Sequence, residues 1–127
     1  MLYALLLYHD PAEPFDPDVL ERHFAFWREA ERRGAYVASE ALGSGDTATT
    51  VRLRGSGDPL ITDGPYAETK EQLGGFYILD CADLDEAIDY ATQLPDRHGT
   101  TEIRPVMGVA GWDYGPTANR RRQPMAG

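Results

Sequence analysis

Histidine and carboxylate side chains are the groups in this chain that could move protons between a ligand and solvent. His23 lies on an amphipathic helical pattern, one turn after Val19 and one turn before Trp27. An imidazole changes its charge near neutral pH, which suits a general acid or base. Asp63 follows a short apolar segment, and a carboxylate at the end of a strand can orient an imidazole. A catalytic pair of His23 and Asp63 is therefore one hypothesis for a site.

Both residues also have structural interpretations, and the sequence leaves these open. A histidine near the buried stripe of a helix is commonly a hydrogen-bonded residue at the edge of the core. The dipeptide Asp63-Gly64 is typical of an Asx turn, in which the carboxylate accepts hydrogen bonds from the backbone N–H groups that follow.

A long polar link, TDGPYAETKEQLGG, joins two strand patterns between Thr62 and Gly75. A hairpin needs about two to five linking residues, so a link of this length either is a solvated loop or builds a site. We expect residues 67–72 to form one helical turn, and Gly74 and Gly75 to let the chain turn or approach a neighbour closely. The candidate ligand-binding residues are Tyr66, Glu68 and the single lysine Lys70 in this link, and His9 at the end of the first strand pattern.

Composition excludes several classes of partner. Twenty-one acidic and twelve basic residues give a net charge of −9 over 127 residues, which argues against nucleic acid and against an anionic membrane surface. The histidine and cysteine spacings match no metal site, and no glycine-rich segment has the spacing of a phosphate-binding loop, so we expect neither a metal nor a cofactor. Cys81 is the single cysteine. Its apolar surroundings predict a buried thiol, and a chain without disulfides suits the cytoplasm.

Apolar periodicity predicts a small α+β domain. Leu2–Tyr8 is a continuous apolar run typical of a central strand, and an amphipathic helix runs from Pro17 to about Arg33, with Asp16 as its cap and Gly34 as its stop. Further strands are predicted at 36–42, 47–54, 59–62, 76–81 and 101–107. A second helix begins at Asp83, with Glu86 completing a capping box, and ends before Pro95. This order is that of ferredoxin-like βαββαβ folds.

The predicted helices have apolar stripes that should pack on one face of the sheet. The first stripe is Leu20, Phe24, Trp27 and Ala30, flanked by Val19, His23 and Phe26; the second is Leu84, Ala87, Ile88, Ala91 and Leu94. Helices on one face leave the other face bare, and a bare apolar face usually finds a partner. We therefore predict a homodimer in which two sheets pack together. Residues 109–127 show no periodicity, and we expect a tail that is loose or packed on a neighbour.

The stretch TDGPYAETKEQLGGFYILDCADLDEAIDYA closely resembles the signature of the YCII-related proteins, and in particular of their DGPF (DGPFAETKE) branch, with Tyr66 in place of phenylalanine. The first strand, MLYALLLYHD, and the segment TEIRPVM are similar to that family too, so the resemblance extends over about residues 1–108. It implies a ferredoxin-like subunit in a dimeric α+β barrel. It also implies a His–Asp pair, which maps to His23 and Asp63 here.

Two functions remain open at this point. One is a small-molecule site in which His23 and Asp63 perform acid–base catalysis without a metal, with Tyr66 and Lys70 on the ligand. The other is a non-catalytic regulatory or accessory module, because some members of the resembled family accompany extracytoplasmic-function sigma factors. The sequence does not decide whether the chain is an enzyme, and it names no ligand.

Overall fold

A computed structural model describes residues 1–14, 16–96 and 98–107 of the chain. Within these ranges the chain forms six strands, two α-helices and a short 3₁₀ turn at Gly45–Thr47. The elements are β1 Leu2–His9, α1 Val19–Arg32, β2 Tyr36–Ala41, β3 Thr49–Arg52, β4 Leu60–Asp63, β5 Gln72–Asp80, α2 Leu84–Thr92 and β6 Thr100–Pro105. The tail predicted for residues 109–127 lies outside the described residues.

Four of the strands form one antiparallel sheet in the order β2-β5-β1-β6, and β3 pairs with β4 in a separate two-stranded sheet. This α+β arrangement, with antiparallel sheets and two helices, is compatible with the predicted ferredoxin-like fold. The β3–β4 hairpin is an insertion between β2 and β5. The predicted strands all exist, although β5 begins four residues earlier than expected.

The ends of helix α1 follow from local chemistry. Asp16 lies two residues before the N-cap, Asp18, whose N–H donates to the Asp16 carboxylate at 2.9 Å, so Asp16 organises the turn without capping the helix itself. At the other end Gly34 has φ +76°. The N–H of Ala35 donates to the carbonyl of Ala30 at 2.9 Å, and the N–H of Gly34 donates to that of Glu31 at 3.0 Å. This pair of bonds is a Schellman motif, in which glycine adopts the left-handed conformation.

The buried stripe of α1 differs from the predicted one. Phe26 and Ala30 are buried, whereas Leu20, Phe24 and Trp27 are 60%, 50% and 37% exposed. The helix is rotated so that the flanking stripe, which includes His23, faces the sheet. Helix α2 shows the same kind of difference, because Ala87 and the unpredicted Tyr90 are buried while Leu84 and Ile88 remain exposed.

The core lies between the helices and one face of the sheet. Tyr3, Leu5 and Leu7 of β1 alternate toward the helices and join Tyr77 and Leu79 of β5. Phe26 packs edge-on against the rings of both Tyr77 and Tyr90. These aromatic contacts join α1, α2 and the sheet into one cluster.

The opposite face of the sheet is also apolar. The β1–β5 register pairs Ala4 with Ile78, Leu6 with Phe76 and Tyr8 with Leu73. The side chains of these residues are half-buried, except that Leu73 is 39% exposed, and none belongs to the core cluster. We call this surface the open sheet face: Ala4, Leu6, Tyr8, Leu73, Phe76 and Ile78.

The capping box and the cysteine are confirmed. Asp83 caps α2 by accepting from the N–H of Glu86 at 2.9 Å, and the Glu86 carboxylate accepts from the N–H of Ala82 at 3.4 Å. Cys81 is 2% exposed, and burial raises the pKa of its thiol to about 11. This is an inert, packed thiol rather than a nucleophile. Within the described ranges, neither helix combines the length and apolarity that crossing a membrane requires.

We expect Gly34→Ala to lower the free energy of unfolding by about 1–2 kcal/mol, because an L-residue resists the left-handed conformation. A side chain there would meet no atom within 4 Å, so sterics add nothing. Urea denaturation measures the change. Gly34→Asn is the matched control, since asparagine tolerates this conformation. Equal losses for the two variants would contradict the conformational explanation.

Candidate functional site

One end of the four-stranded sheet brings together His9 and His23, two of the candidate residues singled out in the sequence. The strand registers pair His9 with Gln72 and Tyr8 with Thr100, so the end of β1 lies beside the starts of β5 and β6. The hydroxyl of Thr100 donates to the Glu71 carboxylate at 3.1 Å across this edge. Helix α1 leaves the same end of β1, which places its second turn, with His23, close by.

His23 is held at both ring nitrogens. Nδ1 lies 2.8 Å from the hydroxyl of Tyr77, and Nε2 lies 3.3 Å from the carboxylate of Asp96. The three groups come from three different elements: α1, β5 and the connection between α2 and β6. The Tyr77 ring also stacks against the imidazole, with centroids 5.9 Å apart. The imidazole is thus fixed in position and orientation.

The two partners of His23 determine where the protons of this group lie. His23 lowers the pKa of Asp96 through their hydrogen bond, so Asp96 is a carboxylate that accepts from Nε2–H. Burial raises the pKa of Tyr77 to about 12, so its hydroxyl stays neutral. A protonated imidazole donates from Nε2–H to Asp96 and from Nδ1–H to the Tyr77 oxygen. When the ring releases its Nε2 proton, the hydrogen bond from Nδ1–H to Tyr77 remains.

Exposure decides which part of the group a ligand can reach. Tyr77 is 6% exposed, whereas the side chains of His23 and Asp96 are 22% and 38% exposed. Solvent therefore meets the Nε2 edge and the carboxylate, and not the hydroxyl. The Nε2 contact is also the longer one, at the weak end of the hydrogen-bond range. Nε2 is the atom at which a proton can be exchanged.

Two further cations act on Asp96. The charges of His9 and Arg22 both lower its pKa, after the larger effects of His23. The guanidinium of Arg22 forms an ion pair with Asp16, and its Nε is buried without a hydrogen-bond partner among the described residues. Arg22 is therefore held beside the site by a single carboxylate.

A groove of about 590 Å³ lies near this group, although His23, Tyr77 and Asp96 are not among the residues that line it. It lies between α1 and the end of α2, and it extends to Arg22 and Pro95, the residues that immediately precede His23 and Asp96. Its walls are Arg22, Phe26, Glu29, Tyr90, Leu94 and Pro95. Small-molecule sites commonly have volumes of about 300–1,000 Å³.

The double glycine of the link fits the strand into this end of the sheet. A Cβ at Gly74 would lie 2.5 Å from Nδ1 of His9, and one at Gly75 would lie 2.9 Å from the carbonyl oxygen of Glu40. The predicted close approach is confirmed, but the glycines lie inside β5 rather than at a turn. The register shifts between Leu7 and Tyr8, opposite Gly74, as expected for a bulge. Gly74 thereby makes room for the imidazole of His9.

The rest of the link is an irregular loop, so the predicted helical turn at 67–72 is wrong. Gln72 already pairs with His9 as the first residue of β5, and the Thr69 hydroxyl donates to the carbonyl of Glu71. Gln72 therefore has the extended backbone of a strand, which a helical turn over residues 67–72 would exclude. Gly64, with φ +101°, makes the sharp turn after β4.

The structure does not join Asp63 to His23. Asp63 is an exposed residue at the end of β4, paired with Thr49 in the two-stranded sheet, and its carboxylate meets no hydrogen-bond donor among the described residues. The carboxylate on His23 is that of Asp96. Glu68 and Lys70 are exposed loop residues, and Tyr66 is 79% exposed with Arg52 over its ring at 5.7 Å. Ligand binding by these three residues stays a prediction.

Sequence reasoning missed Asp96 and Tyr77 for different reasons. Alternation along FYIL places Tyr77 and Leu79 on one face, but it does not say that this face meets α1. Asp96 is 73 positions from His23 and follows a helix in an ordinary loop sequence. Only the packing of α2 beside α1 brings the two together. His98, expected in a loop, lies in an exposed turn.

We expect the stability difference between the wild-type chain and Asp96→Asn to depend on pH. The pKa of Asp96 is lowered from 3.8, so its stabilising effect is present above that value and is lost as the pH falls below it. Urea denaturation between about pH 6 and pH 2.5 should show the two chains converging at the acid end. Asp63→Asn is the control and should follow the wild type throughout. A constant difference for Asp96→Asn would contradict the ion pair.

We expect Gly74→Ala to lower the free energy of unfolding by about 1–3 kcal/mol, because the new methyl group collides with His9. The same substitution should cost clearly less in a His9→Ala background, where the ring is absent. Denaturant unfolding of the four chains completes this double-mutant cycle. If the losses in the free energy of unfolding from the two substitutions are additive, the His9 ring does not require a glycine at position 74.

Comparison with known proteins identifies the family of this chain. The model of the YCII-related domain matches residues 1–110. A protein of Rhizobium meliloti (strain 1021), whose name describes it as uncharacterized, is 38% identical over 116 residues, which cover 84% of this chain and 92% of that protein. The domain match spans every described strand and helix. The chain belongs to the YCII-related domain family.

Proposed function

We propose that this chain is a homodimeric small-molecule-binding protein that performs acid–base chemistry at His23. The observation that carries the proposal is the imidazole fixed by Tyr77 at Nδ1 and by Asp96 at Nε2. A ring held in one orientation, with a carboxylate to stabilise its charged form, has the requirements of a general acid or base. The sequence-based role of Asp63 passes to Asp96 in this proposal.

Each member of the group has a distinct role. Tyr77 fixes the ring by accepting from Nδ1–H in both charge states. Asp96 stabilises the imidazolium. Nε2 exchanges the proton with the ligand, because it is the nitrogen at the solvent-exposed edge. Suitable reactions are proton transfer at a carbon next to a carbonyl group, or activation of a water molecule for hydrolysis.

The groove beside the group offers room for the ligand. Two of its lining residues, Arg22 and Pro95, immediately precede His23 and Asp96 in the chain. Phe26, Tyr90 and Leu94 contribute apolar surface, and Arg22 contributes a cation. A small organic molecule in this groove would have to extend past Arg22 and Pro95 to bring its reactive atom to Nε2, because neither His23 nor Asp96 lines the groove.

The dimer follows from the open sheet face. Its half-buried apolar side chains lie on the side of the sheet away from α1 and α2, and pairing two such faces would form the α+β barrel predicted from the sequence. His23 and Tyr77 belong to the helix side. Each protomer would therefore keep a complete and separate site.

A second function, a non-catalytic binding module, is favoured by one observation. Both ring nitrogens of His23 already have partners within the chain, which is also the arrangement of a polar group that only stabilises the fold. In that case the ligand or partner would occupy the groove without proton transfer.

The two functions differ in the effect of His23→Gln on exchange with solvent. Small ketones, β-keto acids and activated esters serve as probes, with deuterium incorporation from D₂O and ester hydrolysis followed by NMR. Acid–base catalysis predicts that His23→Gln lowers the accelerated rate by about 100-fold or more. His98→Gln, at an exposed imidazole, is the matched control. Ligand binding without any acceleration would favour the binding module, as would a rate that His23→Gln leaves unchanged.

A further inference from the structure

The β3–β4 hairpin has an apolar face that packs against none of the described residues. We call residues 49–63 the hairpin arm. Val51 and Ile61 stand directly opposite each other on its two strands and are 56% and 64% exposed. Leu53, two residues after Val51, is 81% exposed. A cross-strand apolar pair of this kind normally packs against a third surface.

The other side of the hairpin arm has one contact with the chain and is also largely exposed. Arg52 points to the side opposite Val51 and lies over the ring of Tyr66, which is 79% exposed, and Leu60, paired with Arg52, is 42% exposed. The base of the arm is fixed by two bonds. The hydroxyl of Thr50 donates to the carbonyl of Gly64 at 2.7 Å, and the N–H of Gly64 donates to the carbonyl of Ala48 at 2.8 Å. The arm is therefore held at its base, and the Val51–Ile61 side, which carries the more exposed apolar side chains, is called the free side.

A hairpin of this size needs external support. Each strand has four residues, and an isolated two-stranded hairpin is at best marginally stable in water. Exposing Val51, Leu53 and Ile61 adds the unfavourable contact of apolar surface with water. Burying that side would stabilise the arm and remove the exposed surface together.

We infer that the free side of the hairpin arm packs on a second copy of this chain, extending the sheet-to-sheet contact of the proposed dimer. The inference rests on that dimer, and the area that the dimer would bury supports the inference. Four strands of six to nine residues, about seven on average and spaced about 4.8 Å apart, present a face of roughly 450 Å², or roughly 900 Å² in a pair. Stable interfaces bury about 1,200–2,000 Å².

The two arms supply the missing area. One face of an arm, with two strands of four residues, has an area of roughly 130 Å². Each arm also covers an equal area on the other copy, so the two arms together bury roughly 500 Å². The dimer then reaches the size of a stable interface. A twofold axis makes each arm and each open sheet face equivalent, so both copies bury the same surface and the assembly closes at two.

Sedimentation velocity of the full chain over a concentration series tests this inference. Ile61→Lys should raise the dimer dissociation constant at least about tenfold, because the lysine must lose water at the contact. Leu20→Lys is the matched control: Leu20 is 60% exposed, close to the 64% of Ile61, but it lies on α1. It should change the constant less than about twofold. Circular dichroism verifies folding, and Leu53→Lys replaces Ile61→Lys if that variant does not fold.

Leu73→Lys, on the open sheet face, separates the failure of this inference from that of the dimer. If Leu73→Lys dissociates the dimer and Ile61→Lys does not, the sheets pair without the arm and the inference is wrong. If Ile61→Lys alone dissociates it, the arm forms the contact and the sheet pairing is wrong. If Leu20→Lys raises the dissociation constant as much as Ile61→Lys does, the added charge alone explains the weakening, and the inference is overturned. A monomeric wild type would overturn the arm contact and the dimer together, without bearing on chemistry at His23.

Discussion

The register of β1 on β5 is the constraint on which the rest of this molecule depends. It pairs Leu5 with Tyr77, which directs the Tyr77 side chain toward α1. Side chains alternate along a strand, so a slip of one residue would turn this hydroxyl to the open sheet face and leave Nδ1 of His23 without its partner. The same slip would turn Phe76 and Ile78 into the core in place of Tyr77 and Leu79. Core packing and the orientation of the imidazole therefore have one common cause.

Features that depend on neighbours in the sequence could be predicted, and features that depend on packing could not. Gly34 and the Asp83–Glu86 box end and start helices through bonds that span at most five residues, so the sequence alone specifies them. The facing side of α1 is different. The predicted stripe of Leu20, Phe24, Trp27 and Ala30 and the flanking residues His23 and Phe26 follow the same helical period. Only packing on the sheet decides which of them are buried, and it buries Phe26 and Ala30.

The candidate site shows the same division at the level of single side chains. His23 could be identified from its place on the helix, because its chemistry and its position are both local properties. Its carboxylate partner could not, because Asp63 and Asp96 are both ordinary loop-edge acids in sequence. Their difference is topological: the chain between β2 and β5 carries Asp63 away on the hairpin arm, whereas the packing of α2 beside α1 returns Asp96 to the imidazole. A site assembled from three elements in this way also ties their positions together.

Cys81 gives the fold a reporter of its own opening. It is the single thiol of the chain, it is almost fully buried, and its N–H donates to the carbonyl of Met1 at 2.9 Å beside the first strand. A thiol-reactive dye can modify it only in molecules whose β1–β5 edge has opened, and the rate then equals the intrinsic thiolate rate multiplied by the open fraction. The labelling rate of the unaltered chain therefore measures the free energy of that opening, without an engineered cysteine.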